Sequence, residues 1–431
     1  MKTTLKKLPG SQVEIEFEIS SSDFDKYFEK AASHLGEHLN IDGFRKGSVP
    51  KEIIEEKVGK ENLLAEAGDL AVKDCYLKVI LENKLEPISQ PQVEVLKLAR
   101  GNPFLFKVKT TVLPEVSLPD YKKIVSQVKK KEISVSQEEI DDNLKYLQKT
   151  RAKFSQLNRT AEEKDFVEIE YESPELGALP SLSPKPDNKR VKDEFILGEG
   201  GLIPGFEKNI VGMKAGEKKE FSLNFPKDSK RKDLAGREVN FKVRMITVQK
   251  VELPEINDEF AKILGSFNNL DSLKSSIKEG ITIEKEMQEK QRQRSEMLER
   301  ISEKVKVEIP GVLVDSEKER LLEDFKQKIN RDFGITFENY LASIKQDEKT
   351  LKESFLKEAE KKCKNFLILR EIGKKEDISV SDKEVEEEAN KIVKNYPVDS
   401  AKKIDINRLK EYTKGVMYQE KVFQRLESFI N

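Results

Sequence analysis

The stretch LGEGGLIPGFEKNIVGMKAGEKKEF (Leu197–Phe221) lies among segments in which apolar and polar residues alternate. Alternation with a period of two predicts half-buried β-strands, and glycine and proline predict the turns between them. The alternating segments are DFVEIEYE before the stretch, EKKEFSLNFP at its end and REVNFKVRMITVQKV after it. We therefore predict a β-rich domain from about Asp165 to Val251. The glycines do not follow the GxGxxG spacing and no βαβ pattern surrounds them, which argues against a dinucleotide-binding fold.

The first third of the chain mixes strand and helix patterns. SQVEIEFEIS (Ser11–Ser20) alternates as a strand, and Asp23 is predicted to cap the helix FDKYFEKAASHLGEHL that follows. Helical spacing continues in residues 51–85, and PQVEVLKL with FLFKVKTTVLP predicts a hairpin. These elements predict an α+β domain that closes near Leu113.

The region from Leu253 to Asn431 is almost entirely helical in pattern. The predicted apolar faces are Leu321, Leu322, Phe325 and Ile329 in one helix, and Leu409, Tyr412, Val416, Phe423, Leu426 and Ile430 in another. Such faces are by default core. Long charged helices with few short loops cannot bury every stripe, however, so open apolar grooves are the alternative.

The composition predicts an elongated α+β multidomain protein with well-solvated helices, because charged residues form 37% of the 431 residues and hydrophobic residues only 36%. The formal net charge is -1, so we expect at most a local patch for nucleic acid and no DNA partner. Two cysteines, Cys75 and Cys363, fit a reducing cytosol. The sequence has no apolar run long enough to cross a membrane, and we expect no membrane partner.

One internal repeat links distant segments: EISVSQEEIDDNL (Glu132–Leu144) is similar to DISVSDKEVEEEA (Asp377–Ala389). Both predict a helix start with a capping box and a hydrophobic staple. The predicted pairs are Ser136 with Glu139 and Ser381 with Glu384 for the boxes, and Val135 with Ile140 and Val380 with Val385 for the staples. Convergence and a common origin both explain the similarity. In either case the β-rich domain is predicted to be inserted between helical partners.

The motif HLGEH (His34–His38) has the HxxEH spacing of inverted zinc peptidases, with His34 and His38 as ligands and Glu37 as the base. A solvated helix face is the more economical interpretation, because Gly36 interrupts the helix pattern and no supporting motif follows. The phosphate-binding motif GxxxxGK[ST] and the nucleophile motif GxSxG are both absent from the sequence. We expect no cofactor and no metal.

The stretch GFRKGSVP (Gly43–Pro50) is predicted to be a loop, because glycine and proline disfavour helix and strand. An aromatic ring and two cations on such a loop are suited to a contact with another surface. The predicted contact and turn residues are Gly43, Phe44, Arg45, Lys46, Gly47 and Pro50.

The order of these pieces resembles the trigger factor family of ribosome-associated bacterial chaperones, over essentially the whole chain. GFRKG and LPEINDEFAK (Leu253–Lys262) are the most specific segments, whereas IPGFE is shared with all FKBP-type prolyl isomerases. The resemblance implies four parts. They are an N-terminal α+β ribosome-binding domain (1–113), a helical connector that packs with the C-terminal body (114–160), an inserted FKBP-like β-rich domain (161–250) and a discontinuous all-α chaperone body with arms (251–431).

The resemblance also implies the partners. The loop residues would contact the large ribosomal subunit at the tunnel exit, on both protein and ribosomal RNA. The helical body would hold nascent and unfolded polypeptides without ATP in the cytoplasm, and the free protein could form homodimers. The family usually has a basic residue where this chain has Ser48. We therefore expect a weaker and less salt-sensitive contact.

The isomerase part departs from its family. An FKBP-type pocket holds an X-Pro amide in an aromatic box, where loss of hydration and twisting weaken the amide resonance. The resemblance assigns this pocket to Tyr171, Leu202, Ile203, Phe206 and Phe241. The loop SPELGALPSLSPKPDNK replaces a typical segment, and Asp193 and Ser229 stand where aromatic residues are expected. We expect weak or absent isomerase activity; the alternative is that an active prolyl isomerase is the main function.

Overall fold

The computed structural model describes residues 1–38, 51–173, 191–199, 203–226, 235–395, 397 and 404–430. The chain divides into two compact units. The first unit contains Met1–Lys129, Arg294–Glu323 and Lys349–Asn431, and the second contains Lys130–Gln293 and Asp324–Glu348.

The first unit begins with an α+β domain, as predicted. It contains strands β1 (Lys2–Leu8) and β2 (Gln12–Ile19), helices α1 (Ser21–His38), α2 (Lys51–Val58) and α3 (Lys60–Glu82), and strands β3 (Gln92–Lys97) and β4 (Phe104–Thr111). The strands form an antiparallel sheet of order β1-β2-β4-β3. Phe17 and Phe106, on neighbouring strands, stack with ring centroids 4.5 Å apart in a core shared with α1 and α3.

Strand β1 was not predicted, because its sequence KTTLKKL has no apolar alternation. It forms through backbone pairing with β2, from Lys2 opposite Glu18 to Leu8 opposite Gln12. Lys6 also lies 3.1 Å from Glu16 across the two strands. An edge strand that faces solvent needs no apolar face, so the sequence pattern could not reveal it.

The start of α1 corrects one prediction. We expected Asp23 to cap this helix, but α1 begins at Ser21 and Asp23 lies inside its first turn. The Ser20 hydroxyl accepts a hydrogen bond of 3.3 Å from the Asp23 amide and donates one of 2.9 Å to the Asp23 carboxylate. Ser20 therefore caps the helix, and the Asp23 carboxylate accepts a hydrogen bond from its hydroxyl.

The β-rich domain forms within the second unit. Helix α4 (Tyr121–Val125) belongs to the first unit; the second unit then contains α5 (Gln137–Thr150), β5 (Lys153–Gln156), β6 (Phe166–Glu172), β7 (Val191–Ile196), α6 (Phe206–Ile210), β8 (Lys218–Asn224), β9 (Glu238–Glu252) and α7 (Asp258–Leu264). The long strand β9 pairs with β5, β6 and β8, and β7 pairs with the other edge of β6.

Residues 114–160 are not helical throughout, in contrast to our expectation of a helical connector. Strand β5 lies within this range and pairs with the last four residues of β9, from Lys153 opposite Glu252 to Gln156 opposite Gln249. The segment KFSQ is too short to show a strand period, and its partner lies far away in the sequence.

The remainder of the chain is helical, as predicted. The helices are α8 (Leu270–Lys304), α9 (Gly311–Phe333), α10 (Phe337–Ile344), α11 (Glu348–Ser354), α12 (Leu356–Lys375), α13 (Asp382–Lys394) and α14 (Ile406–Glu427). In the first unit, a core cluster joins α4, α8, α12 and α14 through residues such as Val125, Ile301, Ile372 and Leu426. Among the residues that the structure describes, no helix has the length and apolar character needed to cross a membrane.

The two predicted apolar faces have different outcomes. Leu321, Leu322 and Ile329 of α9 are buried, as expected. Tyr412 and Val416 of α14 are instead 68% and 48% exposed. Leu426 is buried, and Phe423 and Ile430 are half-buried against the same core, as expected for this face. The buried side of α14 also includes Thr413 and Val422, which the predicted face did not contain.

Candidate functional sites

The predicted docking loop lies outside the described residues; this applies to Gly43, Phe44, Arg45, Lys46, Gly47, Ser48 and Pro50. The structure describes the helices on both sides of it, α1 up to His38 and α2 from Lys51. These helices approach closely, because a Cβ atom at Gly36 would lie 2.9 Å from Cδ1 of Ile54. Gly36 therefore has a packing role near the end of α1.

Arg100, in the turn between β3 and β4, links the same two helices. Its guanidinium lies 2.8 Å from the Glu55 carboxylate on α2 and 5.4 Å from the ring centroid of Phe28 on α1. Sequence analysis missed Arg100, because its partner Glu55 lies 45 positions away in the chain and Phe28 lies farther still. Its turn sequence carries no signal for these contacts.

Three of the residues assigned to the isomerase pocket come together in the β-rich domain. The ring centroids of Tyr171 and Phe206 are 5.8 Å apart, those of Phe206 and Phe241 are 5.2 Å apart, and those of Tyr171 and Phe241 are 6.2 Å apart. Ile203 packs against this cluster, whereas Leu202 lies outside the described residues. The arrangement is a set of edge-to-face and tilted contacts typical of a packed aromatic core.

Phe221 is a fourth member of this aromatic cluster and was not predicted to belong to it. Its ring lies 5.2 Å from that of Phe206 and 5.8 Å from that of Phe241. Phe206 and Phe241 are each only 1% exposed, and Tyr171 is 7% exposed. These rings are therefore almost entirely buried in the core of the domain, and little of their surface is accessible to a bound peptide. The alternation in EKKEFSLNFP was the available signal for Phe221.

Asp193 lies beside Tyr171, where the family resemblance predicts an aromatic residue. It is on β7, opposite Ile169 of the neighbouring strand β6. Burial raises the pKa of the Tyr171 hydroxyl, and the negative charge of Asp193 raises it further. A carboxylate at this position makes this side of the cluster more polar than an aromatic box.

The HLGEH motif shows ordinary surface contacts where it is described. Nδ1 of His34 lies 2.9 Å from the Glu66 carboxylate on α3. The side chains of Glu37 and His38 lie outside the described residues. Within the part of the chain that the structure describes, no group of three or more metal-ligating side chains could hold a metal ion.

A groove with many apolar residues runs along α12 and α14 in the first unit, and α8 and α9 also line its larger part. It consists of two adjacent cavities of about 420 and 700 Å³. The residues that line both cavities are Phe366, Leu369, Glu411, Gly415 and Gln419. We call this feature the α12–α14 groove.

The walls of the α12–α14 groove carry exposed apolar side chains. Phe366 is 44% exposed, and Tyr412 and Val416 line the larger cavity beside it. Gly415 is an exposed residue that lines both cavities, and no atom lies within 4 Å of its ideal Cβ position, so the groove is open there. Part of the apolar surface of the helical region therefore lines an open groove, which was the alternative to a fully buried stripe.

Comparison with protein families gives three matches. Residues 1–147 match the bacterial trigger factor protein family, residues 269–427 match the trigger factor C-terminus, and residues 158–246 match the FKBP-type peptidyl-prolyl cis-trans isomerase family. The trigger factor of Carboxydothermus hydrogenoformans is 33% identical over 425 residues, which cover 98% of each chain. This chain belongs to the trigger factor family.

Other members are similarly related. The trigger factor of Halothermothrix orenii is 34% identical over 398 residues, covering 92% of this chain and 90% of that protein. The trigger factor of Caldicellulosiruptor saccharolyticus is 32% identical over 412 residues, covering 95% and 91%. A solved chain from work on promiscuous substrate recognition by the trigger factor chaperone aligns over 98% of both chains, with 22% identity and a TM-score of 0.48.

Family membership gives the coarse function. The chain is a trigger factor chaperone that acts in protein folding on polypeptides, and it contains an FKBP-type isomerase domain. The FKBP-type match contains Tyr171, Phe206 and Phe241. It lies between the two trigger factor matches in the sequence, in agreement with the predicted insertion.

Proposed function

We propose that this protein is an ATP-independent chaperone that docks at the exit of the ribosomal tunnel and shields nascent polypeptides in its helical region. The observation that carries this proposal is the α12–α14 groove with its exposed apolar walls. A large exposed apolar patch is costly in water, and its usual role is to bind another apolar surface. Unfolded polypeptides provide such a surface.

The shape of the groove suits an extended chain. Its two cavities adjoin and share Phe366 and Gly415, so one extended polypeptide is proposed to place side chains in both. Aromatic side chains provide apolar area at small entropic cost, and Gly415 leaves room beside them for a side chain of the bound polypeptide. Binding of this kind needs no nucleotide, and the sequence has no phosphate-binding GxxxxGK[ST] motif.

The test of the groove is suppression of aggregation in buffer without nucleotide. Replacing both Phe366 and Tyr412 by serine should weaken holding of an unfolded client several-fold, because the lost apolar area contributes about 25 cal/mol per Å² to binding. Leu81→Ser is the matched control, since Leu81 is 76% exposed on α3 and lies outside the groove. Equal holding by the groove variant and the control would contradict the proposal.

We also propose that docking uses Phe44, Arg45 and Lys46, within a ribosome-binding domain of residues 1–113. The two cations can pair with phosphate or carboxylate groups, and the aromatic ring adds apolar contact. The remaining parts of the proposal are a connector of residues 114–160, an FKBP-like domain of residues 161–250 and a chaperone body of residues 251–431, in a cytoplasmic protein that forms homodimers away from the ribosome.

The FKBP-like domain is proposed to have weak or no isomerase activity. The near-complete burial of Phe206 and Phe241, and the carboxylate of Asp193 beside Tyr171, both support this proposal. An active isomerase is the second candidate, which is supported by the family match of residues 158–246. Rates of cis-to-trans conversion in a proline peptide and in an unfolded protein distinguish the two. Rates equal to the uncatalysed values favour a binding or scaffold role, and a clear acceleration of either favours the enzyme.

A further inference from the structure

The repeated segments found in the sequence begin their helices with the same set of bonds. At the start of α5, the Ser136 hydroxyl accepts a hydrogen bond of 3.3 Å from the Glu139 amide. The Glu139 carboxylate accepts one of 2.9 Å from the Ser136 amide. At the start of α13, Ser381 and Glu384 make the same bonds at 3.3 and 2.8 Å. Capping boxes are common helix starts, so these bonds alone do not relate the two segments.

A long helix fastens the first segment at two points. Lys285 of α8 donates to the backbone carbonyl of Ser134 at 2.7 Å and to the Glu139 carboxylate at 2.8 Å. One helical turn later, the Glu289 carboxylate accepts the backbone amide of Lys131 at 2.9 Å. Residues 131–134 therefore lie along α8 as a strap, held at both ends.

The second segment is fastened to α14 at the same two positions, with donor and acceptor exchanged at the second one. Lys421 donates to the backbone carbonyl of Ser379 at 3.0 Å and to the Glu384 carboxylate at 2.7 Å. One turn later, Arg425 donates to the Glu376 carboxylate at 2.7 Å. Residues 376–379 are thus a second strap, and each contact has the same position relative to the capping serine as in the first.

The long helices also correspond beyond these contacts. When Lys285 is aligned with Lys421, a glutamate precedes each lysine and a glutamine follows three residues later. Each glutamine donates to that glutamate, Gln288 to Glu284 at 3.1 Å and Gln424 to Glu420 at 3.3 Å. Capping requires no second helix, so convergence on a good helix start does not account for matched contacts on α8 and α14.

The packing faces follow the same alignment. Leu273 and Ile277 of α8 share a core cluster with Ile140 of α5. The aligned positions in the second copy are Leu409, Thr413 and Val385, which are buried or half-buried. Aligned positions on the two pairs of helices are therefore buried or half-buried, and the second pair is the more closely packed of the two.

We infer that the fold contains one strapped helical hairpin twice, as α5 with α8 and as α13 with α14; the insertion predicted from the sequence then lies in the connection of the first copy. Residues 395–405 connect the helices of the second copy, and residues 151–269 occupy the corresponding place in the first. Each strap acts as a two-point latch that holds a short helix on a long one. This inference goes beyond the proposed function and does not depend on it.

The sharpest test builds the contact of the second strap into the first, in the full chain. Glu289→Arg removes the acceptor of the Lys131 amide and should speed hydrogen exchange in the first turn of α5 by about five- to tenfold. Adding Lys131→Glu creates an ion pair equivalent to that between Glu376 and Arg425. The double variant should exchange about threefold more slowly than Glu289→Arg alone in the first turn of α5. Adding Lys130→Glu instead is the control and should restore none of the protection. Equal recovery in the two double variants would overturn the equivalence of the straps.

A milder pair of variants tests the latches themselves. Lys285→Met and Lys421→Met should each speed exchange at the helix start that the lysine fastens by about three- to tenfold, and leave the other start unchanged. Lys278→Met, an exposed position of α8, is the control. If Lys285→Met or Lys421→Met leaves hydrogen exchange at its own helix start as slow as in the parent protein, the inference of two equivalent latches is wrong.

Discussion

The Tyr121 hydroxyl donates a 2.6 Å hydrogen bond to the Glu376 carboxylate, although the two residues are 255 positions apart in the chain. Lys122 lies 2.8 Å and Arg425 2.7 Å from the same carboxylate, whose side chain is only 6% exposed. Glu376 therefore joins α4, the end of α12 and α14 within the first unit. The bonds from Lys122, and then from Tyr121, lower the pKa of Glu376 from 4.5 to about 2.

We predict that Glu376→Gln lowers the free energy of unfolding by roughly 2–3 kcal/mol at neutral pH, because hydrogen bonds to a charged, nearly buried group are among the stronger ones. The folded-state pKa lies below the ordinary value of 4.5, so the carboxylate stabilises the fold above pH 4.5. That contribution is lost as the pH falls towards about 2. Urea unfolding at neutral pH and at about pH 3 measures both effects.

Glu360→Gln is the control for this prediction, since Glu360 is exposed on the same helix α12. It should change the free energy of unfolding by less than about 0.5 kcal/mol. The difference between Glu376→Gln and the parent protein should also shrink at acid pH. A difference that stays constant between neutral and acid pH would show that the charge of Glu376 is not the cause.

We predict that Gly373→Ala destabilises the first unit. A Cβ atom at this position would overlap the Tyr418 hydroxyl and would lie 2.5 Å from Cζ of Tyr418. Alanine is the better helix former by about 1 kcal/mol, but overpacking between α12 and α14 costs about 1–3 kcal/mol. We expect a net loss of roughly 1–2 kcal/mol in the free energy of unfolding.

Gly415→Ala on α14 is the matched change with the opposite expected sign. No atom lies within 4 Å of its ideal Cβ position, so only the helix preference acts. The free energy of unfolding should rise by roughly 0.5–1 kcal/mol. Thermal unfolding of both variants measures whether Gly373→Ala lowers and Gly415→Ala raises the stability. Destabilisation by Gly415→Ala would show that the free space around the added Cβ atom does not decide the effect.

Local patterns predicted the parts of the fold that local interactions determine. The capping boxes at Ser136 and Ser381 form as expected, because a serine and a glutamate three residues apart need no distant partner. The alternation of β6 and β9 likewise placed the β-rich domain. Strands β1 and β5 were missed, because only their pairing partners make them strands.

The candidate sites also contain residues that the sequence predicted and residues that only contacts between distant segments bring together. Family resemblance selected Tyr171, Phe206 and Phe241, and the structure brings these residues together. Phe221 fills the space between two of them, which depends on the pairing of β8 with β9. Arg100 contacts two helices that are remote in sequence. Contacts between elements of this kind have no signature in a single sequence.

We predict that replacing Phe44, Arg45 and Lys46 by alanine removes co-sedimentation with ribosomes. Loss of three contacts of about 1.4 kcal/mol each would weaken binding by about 1,000-fold. The control replaces one exposed apolar residue and two exposed lysines of the sheet, Leu96, Lys97 and Lys109, by alanine. Circular dichroism should show the same helix content in both variants and the parent. Unchanged co-sedimentation of the loop variant would exclude this loop as the docking site.

The last prediction concerns the salt dependence of docking. The family resemblance predicts a basic residue at the position of Ser48, so we expect this loop to have one cation fewer than its relatives. Each cation that neutralises a phosphate adds roughly 0.7–0.9 to the slope of the logarithm of affinity against the logarithm of salt concentration. Ser48→Lys should therefore tighten ribosome binding at low salt and steepen this slope by roughly that amount. Ser48→Gln, which adds length without charge, should leave the slope unchanged. If the lysine and glutamine variants have the same slope, position 48 makes no phosphate contact, and counter-ion release at this position does not contribute to docking.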